Sequence, residues 1–190
     1  MTVETENALS EKGLASLDYA QQLDWPVFPC HSITEGGACS CGKTGCSGPG
    51  KHPRTEHGLK DATTDPTQIR KWWEQYPDAN IGIPTGAVSG FDVLDIDPRH
   101  GGDISLEVLE AQHGKLPETS EQITGGGGRH ILFRHTPGLK SRNGVLPGID
   151  IKADGGYILV APSNHFSGRR YAWEESSRPE KYFQGRSEVA

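Results

Sequence analysis

The sequence predicts an α+β fold, a mixed or antiparallel sheet with helices packed on it. Three observations carry that expectation. Segments with strand and helix signatures alternate irregularly, and several strand-like pairs are separated only by short turns. The composition holds 25 Gly and 13 Pro with 33% hydrophobic residues, which suits a loop-rich domain rather than a helical bundle. The length, 190 residues, is enough for one domain with a hydrophobic core, or one domain with a small lobe.

Residues 8–23, ALSEKGLASLDYAQQL, place Leu14, Leu17, Tyr19 and Ala20 at roughly helical spacing and predict a helix. WPVFPC at 25–30 predicts a short strand or an extended entry into the domain. Residues 31–64 are loop-like, rich in Gly, Cys, Lys and Thr, and so long a loop in a compact domain needs a reason. DPTQIRKWWEQYP at 65–77 predicts a second helix. Asp65 caps it, Pro66 fits its first turn and Pro77 ends it, with Ile69, Trp72, Trp73 and Tyr76 as a broad apolar face. ANIGIPTG (79–86) and FDVLDID (91–97) predict strands joined by a turn near Ser89-Gly90. DISLEVLEAQH (103–113) predicts a third helix, and EQITGGGGRHILFRH (121–135) reads as strand, glycine hinge, strand. GIDIKADGGYILVAP (148–162) reads as strand, turn at Asp154-Gly155-Gly156, strand, and GRRYAWEE (168–175) as a last edge strand. The domain is thus expected over 8–175, with 176–190 a polar, loosely held tail or the start of a linker.

No apolar run reaches the ~18 residues of a membrane span. The polar, acidic N-terminus has no signal-peptide core, so a cytoplasmic protein is expected. The formal net charge of −6 argues against tight, nonspecific coating of duplex nucleic acid, while leaving room for a locally positive groove.

Within FDVLDID, Asp92, Asp95 and Asp97 interrupt an apolar strand. Residues i and i+2 of a strand share a face, so Asp95 and Asp97 point the same way and Leu94 and Ile96 point into the opposite layer. Two carboxylates on one face beside a strand end suit Mg²⁺, which binds through one or two carboxylates plus phosphate oxygens and water. Asp150, inside GIDIK, has the same character. The plain alternative is a turn start at Asp97-Pro98 and an exposed Asp150. Asp92 falls on the other face and is assigned to structure.

TGGGGRH at 124–130 has four consecutive glycines, Gly125 to Gly128. With no Cβ atoms, Gly126, Gly127 and Gly128 let the backbone approach a phosphate or base. The segment is neither a Walker A loop nor a GxGxxG helix start, because no Gly-Lys-Ser/Thr follows and a strand comes next. A flexible hairpin turn is the plain alternative. His130 opens the apolar strand and can donate to a phosphate oxygen, or can be structural. Arg129, Lys140, Arg142 and Lys152 lie nearby in sequence and could neutralise a triphosphate.

CSCGKTGCSGPGKHP gives Cys39-x-Cys41-x4-Cys46-x5-His52. Three thiolates and an imidazole suit a closed, tetrahedral, structural Zn²⁺ site, which would pin the long loop over about 30–57. Cys30 and His57 are alternative ligands, and free thiols are the alternative to any metal.

Four segments in this order then resemble one family: PGKHPRT…GLKDATTD (49–65), ANIGIPTGAVSGFDVLDIDPRHGG (79–102), TGGGGRHILF (124–133) and PGIDIKADGGYILVAPS (147–163). Together they resemble the bifunctional DNA primase/polymerase (prim-pol) domain of the archaeo-eukaryotic primase superfamily, over about Ala15 to Trp173. The resemblance implies a catalytic core like an RNA-recognition-motif sheet, a smaller α/β unit and a zinc-bearing loop. It implies an acid-x-acid motif at Asp95 and Asp97, a small-x-His motif at Gly128-Arg129-His130 and an apolar-Asp motif at Ile149-Asp150. His130 would contact the incoming nucleotide, with Gly126, Gly127, Gly128, Arg129 and Lys152 around it. The expected reaction is two-metal-ion transfer of an NTP or dNTP onto a primer 3′-hydroxyl on single-stranded DNA. Mg²⁺ or Mn²⁺ would be the catalytic ion and Zn²⁺ the structural one. The expected setting is plasmid- or phage-type replication, with a replicative helicase as partner in cis or in trans. Two other readings fit parts of the pattern: a metal-dependent nuclease using the same acids, and a non-catalytic zinc module that binds single-stranded DNA or a replisome partner.

Overall fold

The computed structural model describes residues 8–183. Helix α1 (Glu11–Leu23) starts where the Ser10 side chain accepts from the Gly13 N–H. It stops at Asp24, which takes the left-handed conformation at φ 55°. Helix α2 (Pro66–Gln75) starts at Asp65, whose side chain accepts from the Thr67 N–H, and buries Ile69 and Trp73. Helix α3 (Gly102–His113) buries Leu106. No helix is long and apolar enough to cross a membrane among the described residues.

The strands are β1 (Phe28–Cys30), β2 (Asn80–Pro84), β3 (Phe91–Ile96), β4 (Glu121–Ile123), β5 (Arg129–Arg134), β6 (Arg142–Leu146), β7 (Ile149–Lys152), β8 (Tyr157–Val160) and β9 (Ala172–Trp173). They form two sheets, one of three strands in the order β1-β2-β8 and one of six in the order β6-β7-β3-β5-β4-β9. Every pairing between these strands is antiparallel, which selects between the two sheet types expected.

Strand β3 runs through the middle of the larger sheet and sorts the core by parity. Phe91 and Val93, with Leu132 opposite Val93, enter a large cluster with Trp25, Trp73 and the β2 and β8 residues Ile81, Ile83, Ile158 and Val160. Leu94 and Ile96 point the other way, into a second cluster with Ile131, Ile149 and Leu106 of α3. The Phe91 and Val93 end of the first face packs against residues of α1, α2 and the small sheet. Asp92, on the second face as expected, is buried and accepts from His135 Nδ1 at 2.8 Å and the Thr136 N–H at 2.7 Å.

Several expectations change. The segments 79–86 and 91–97 are joined by a turn, with the Gly90 N–H donating to the Gly86 carbonyl at 2.9 Å, yet β2 and β3 enter different sheets. The chain likewise leaves the larger sheet after β7 and enters the smaller one at β8. Strand β6 was not expected, because its residues are mostly exposed and show no alternation. The tail expected from 176 is docked as far as Phe183. After a 3-10 turn (Glu175–Ser177), helix α4 (Pro179–Tyr182) carries Phe183 into the main cluster, 5.6 Å from the Trp25 ring and 6.0 Å from Phe91. The rest of that expected tail, 184–190, lies outside the described residues.

Truncating a buried phenylalanine removes its transfer energy and leaves a cavity. Phe183→Ala should lower unfolding stability by about 3 kcal/mol in urea denaturation. An unchanged midpoint would mean that the terminal segment does not belong to the cooperative unit.

Candidate functional site

The larger sheet's register builds the site. Asp95 lies directly opposite His130 of β5 on one side and Asp150 of β7 on the other. Directly paired residues share a face, so His130, Asp95 and Asp150 form one row across three strands. The row lies on the same face as Phe91 and Val93. Lys152, two residues from Asp150, shares this face and donates from Nζ to Asp150 Oδ2 and Asn143 Oδ1, each at 2.8 Å.

His130 is buried, and its Nε2 stands 3.6 Å from Asp95 Oδ1. Its Nδ1 faces Gln122 Nε2 at 3.0 Å. Gln122 is fully buried, and its other contacts fix its orientation. Its Nε2 also donates to the Leu159 carbonyl at 2.9 Å, and its Oε1 accepts from the Ala161 N–H at 2.7 Å. The amide therefore presents a donor to Nδ1, which must accept, and the neutral ring carries its proton on Nε2, toward Asp95. Burial, followed by the nearby cations Lys152 and Lys51, outweighs the pull of Asp95 and keeps the imidazole below its ordinary pKa.

Asp97 follows β3 and opens a 3-10 turn (Pro98–His100). Its carboxylate accepts from Arg99 Nε at 3.0 Å, Arg99 Nη2 at 2.9 Å and the Arg99 backbone N–H at 3.0 Å, and pairs with His100 Nδ1 at 2.9 Å. The Arg99 guanidinium and these other donors hold it well below the usual carboxylate range. The Asp97 N–H donates to the Gly148 carbonyl at 2.8 Å, drawing the turn onto the start of β7. That approach requires glycine on both sides: a Cβ at Gly148 would lie 2.3 Å from the Gly102 nitrogen, and one at Gly102 2.3 Å from the Gly148 oxygen. For Asp150, burial alone would raise the pKa, but Lys152 and the Gly144 N–H outweigh it and leave the group below its ordinary value.

A cavity of about 360 Å³ opens over Asp95, Asp97, His130 and Asp150, and a second of about 430 Å³ adjoins it over Lys152 and Asn143. Both are lined by Lys51, Asp95, His130 and Tyr171. Of the glycine hinge, Gly126 and Gly128 line the first cavity. Gly128 lies so close to β3 that a Cβ there would meet the Ile96 oxygen at 2.4 Å. Gly127 is turned toward Arg169 instead, and a Cβ on it would lie 3.3 Å from Nη2.

Arg129 needs correction as a nucleotide contact. It neighbours His130 in a strand, so it points to the opposite face, where its guanidinium pairs with Glu121 through two contacts. Lys140 pairs with Asp154 at 3.1 Å, and Arg142 is exposed on β6. The three carboxylates do not converge on one point. Asp97 is turned to Arg99 and His100, and Asp150 to Lys152 and Gly144.

The Cys39, Cys41, Cys46 and His52 ligand atoms do converge, all within 4.8 Å of one another. Cys39 Sγ and Cys46 Sγ lie 3.4 and 3.5 Å from His52 Nε2. A tetrahedron with metal–sulfur and metal–nitrogen bonds of about 2.3 and 2.0 Å has an S···N edge of roughly 3.5 Å, so these contacts fit a tetrahedral ion. Burial would raise the Cys39 thiol, but the Gly50 N–H, Cys41 and His52 bring it down to about 6, toward the thiolate that a metal requires. Neither alternative ligand takes part. Cys30 is buried in β1, where burial pushes its thiol up, and His57 pairs with Asp61 at 3.0 Å.

Four residues of the site escaped the sequence. Gln122 reads as an ordinary strand residue. Lys51 lies in an aperiodic loop. Arg99 and Tyr171 become neighbours of Asp95 only through the fold. The signal for Gln122 was its position eight residues before His130 across a glycine hairpin, which places the two directly opposite.

A family model described as "Bifunctional DNA primase/polymerase, N-terminal" matches residues 16–182. No curated protein sequence matches the chain.

Gln122→Ala would leave three buried groups, the Ala161 N–H, the Leu159 carbonyl and His130 Nδ1, without this partner. It should cost about 3 kcal/mol in urea denaturation. Wild-type stability in that variant would contradict the hydrogen bonding described.

Proposed function

Because the chain belongs to the bifunctional DNA primase/polymerase N-terminal family, we propose that it adds nucleotides to a primer 3′-hydroxyl on a single-stranded DNA template. The observation that carries this reading is the row His130–Asp95–Asp150, continued by Asp97, on the floor of one open cleft. In the reaction, the hydroxyl oxygen bonds to the α-phosphorus of an NTP or dNTP, the bond to the bridging oxygen breaks and pyrophosphate leaves. The hydroxyl proton passes to solvent.

Asp95, Asp97 and Asp150 would hold Mg²⁺ or Mn²⁺, for which their hard carboxylate oxygens are suited. A bound pair of such ions supplies charge neutralisation on the triphosphate and a lowered hydroxyl pKa. The chain's own residues do the rest. His130 offers its Nε2–H as a fixed, neutral donor to a phosphate oxygen. Arg99 and Lys152 pair with Asp97 and Asp150 on either side of Asp95. Gly126 and Gly128 leave the cleft wall open to a close approach by phosphate or base.

The Cys39, Cys41, Cys46 and His52 cluster is read as a closed Zn²⁺ site, structural rather than catalytic. The six-stranded sheet is read as the counterpart of the RNA-recognition-motif-like primase core, with plasmid- or phage-type replication as the setting. A replicative helicase, in cis or in trans, is a partner compatible with this reading.

Wild-type protein with Mg²⁺ or Mn²⁺ should extend a primed single-stranded DNA template, and an unprimed template reports whether it also initiates. Asp95→Ala/Asp97→Ala should fall to background, and His130→Ala should lose about a hundredfold, as for removal of one preorganised donor. A folded wild type that incorporates nothing, or that degrades the template instead, would refute the reading. Metal analysis should find about one zinc per chain. Cys46→Ser should lose that zinc, and Asp95→Ala/Asp97→Ala should keep it.

A further inference from the structure

Lys51 and His52 are consecutive residues that serve two different places. His52 belongs to the Cys/His cluster, with Nε2 at 3.4 and 3.5 Å from Cys39 and Cys46. Lys51 lines both cavities that flank Asp95 and His130. The cleft has three acids, Asp95, Asp97 and Asp150, and three cations, Lys51, Arg99 and Lys152, among the described residues that line it. Two of those cations are already paired, Arg99 with Asp97 at 2.9 Å and Lys152 with Asp150 at 2.8 Å. Lys51 Nζ makes no hydrogen bond or ion pair of that kind among the described residues. It is the cleft cation whose charge remains available to an anionic ligand.

The backbone that carries Lys51 is held from two sides. On the sheet side, Asn80 Nδ2 donates to the Gly50 carbonyl at 2.8 Å, and the Tyr157 hydroxyl donates to the Lys51 carbonyl at 2.8 Å. On the cluster side, the Gly50 N–H donates to Cys39 Sγ at 3.4 Å, and His52 completes the ligand set. Backbone bonds tie the following residues to β1, the His31 N–H donating to the His52 carbonyl at 2.8 Å and the Arg54 N–H to the Pro29 carbonyl at 2.9 Å. The cluster adds the hold on the preceding side, through Gly50 and Cys39.

We propose that the Cys/His cluster presents Lys51 to the phosphates of the incoming nucleoside triphosphate, so that metal occupancy of the cluster sets nucleotide affinity. The inference rests on the nucleotidyl-transfer reading and deepens it: Lys51 is a substrate-binding residue, and the cluster is its positioning device. A charge-assisted contact between an ammonium and a phosphate oxygen supports a substantial effect on affinity.

The test is calorimetric titration of dGTP with Mg²⁺ into zinc-loaded full-length chain, without DNA. Lys51→Met keeps all four cluster residues, and should bind dGTP about tenfold more weakly, the size expected for a lost hydrogen bond to a charged group. It should keep wild-type zinc content. Cys46→Ser should lose zinc and weaken binding by a similar factor, and the double variant should be no weaker than either single one. Should Cys46→Ser fail to fold by circular dichroism, a chelator applied to wild type replaces it, and affinity should fall with zinc removal and return with zinc. Wild-type affinity in Lys51→Met, wild-type affinity in folded zinc-free protein, or multiplicative losses in the double variant would each overturn the inference. Wild type that binds no dGTP at all would overturn the nucleotidyl-transfer reading itself.

Discussion

The register of β3 between β5 and β7 is the constraint on which the rest of the structure depends. It sets Asp95 opposite both His130 and Asp150. A slip of one residue on either side would turn the acids onto the α3 face and carry Leu94 or Ile96 into the cleft. The register is fixed by packing rather than by the site. Val93 opposite Leu132 enters the main core, and Ile96 opposite Ile149 enters the core beneath α3. Two hydrophobic layers thus hold a row of ionisable groups that would otherwise separate, since carboxylates directly opposite one another repel.

The same face of one sheet is core at one end and cleft at the other. The change occurs over two residues, from Val93 in the main core to Asp95 in the cleft, whose wall includes Tyr157, Ile158 and Leu159 of β8. Gln122 stands at that boundary. Its amide satisfies backbone groups at Leu159 and Ala161, on and beyond β8, while orienting the ring of His130 on β5. The polar contact between the two sheets is therefore also the contact that sets the direction of His130, and loosening one sheet against the other would change the donor offered to the cleft.

The sequence made the first half of this legible. The i, i+2 acids, the histidine after the glycine hinge and the acid inside GIDIK fall into one cleft, and the Asp65-Pro66 start marks α2. Sheet membership was not legible. A turn such as Gly86–Gly90 shows that the chain reverses but not that its flanking strands pair, and β2 and β3 part into different sheets. The opposite facing of Arg129 follows from strand parity, which outranks its nearness to His130 in the sequence. Residues such as Lys51 and Phe183 lie in segments with no period, so only tertiary contacts give them their places.

The long irregular segment before α2 also gains a physical account. Fixing so many residues without a ladder of backbone hydrogen bonds carries a large entropic cost, and a covalent or coordinate crosslink is one way to offset it. The proposed crosslink through Cys39, Cys41, Cys46 and His52 lies next to Lys51, which lines the cleft. Lys51 closes a turn, its N–H donating to the Gly48 carbonyl at 3.0 Å, and it lines the cleft while the next residue, His52, belongs to the cluster. A loop anchored only at its ends could bring a lysine near the cleft but could not hold its direction. An anchor one residue away can, and it places that positive charge locally, in a chain whose net charge of −6 would otherwise oppose an anionic substrate.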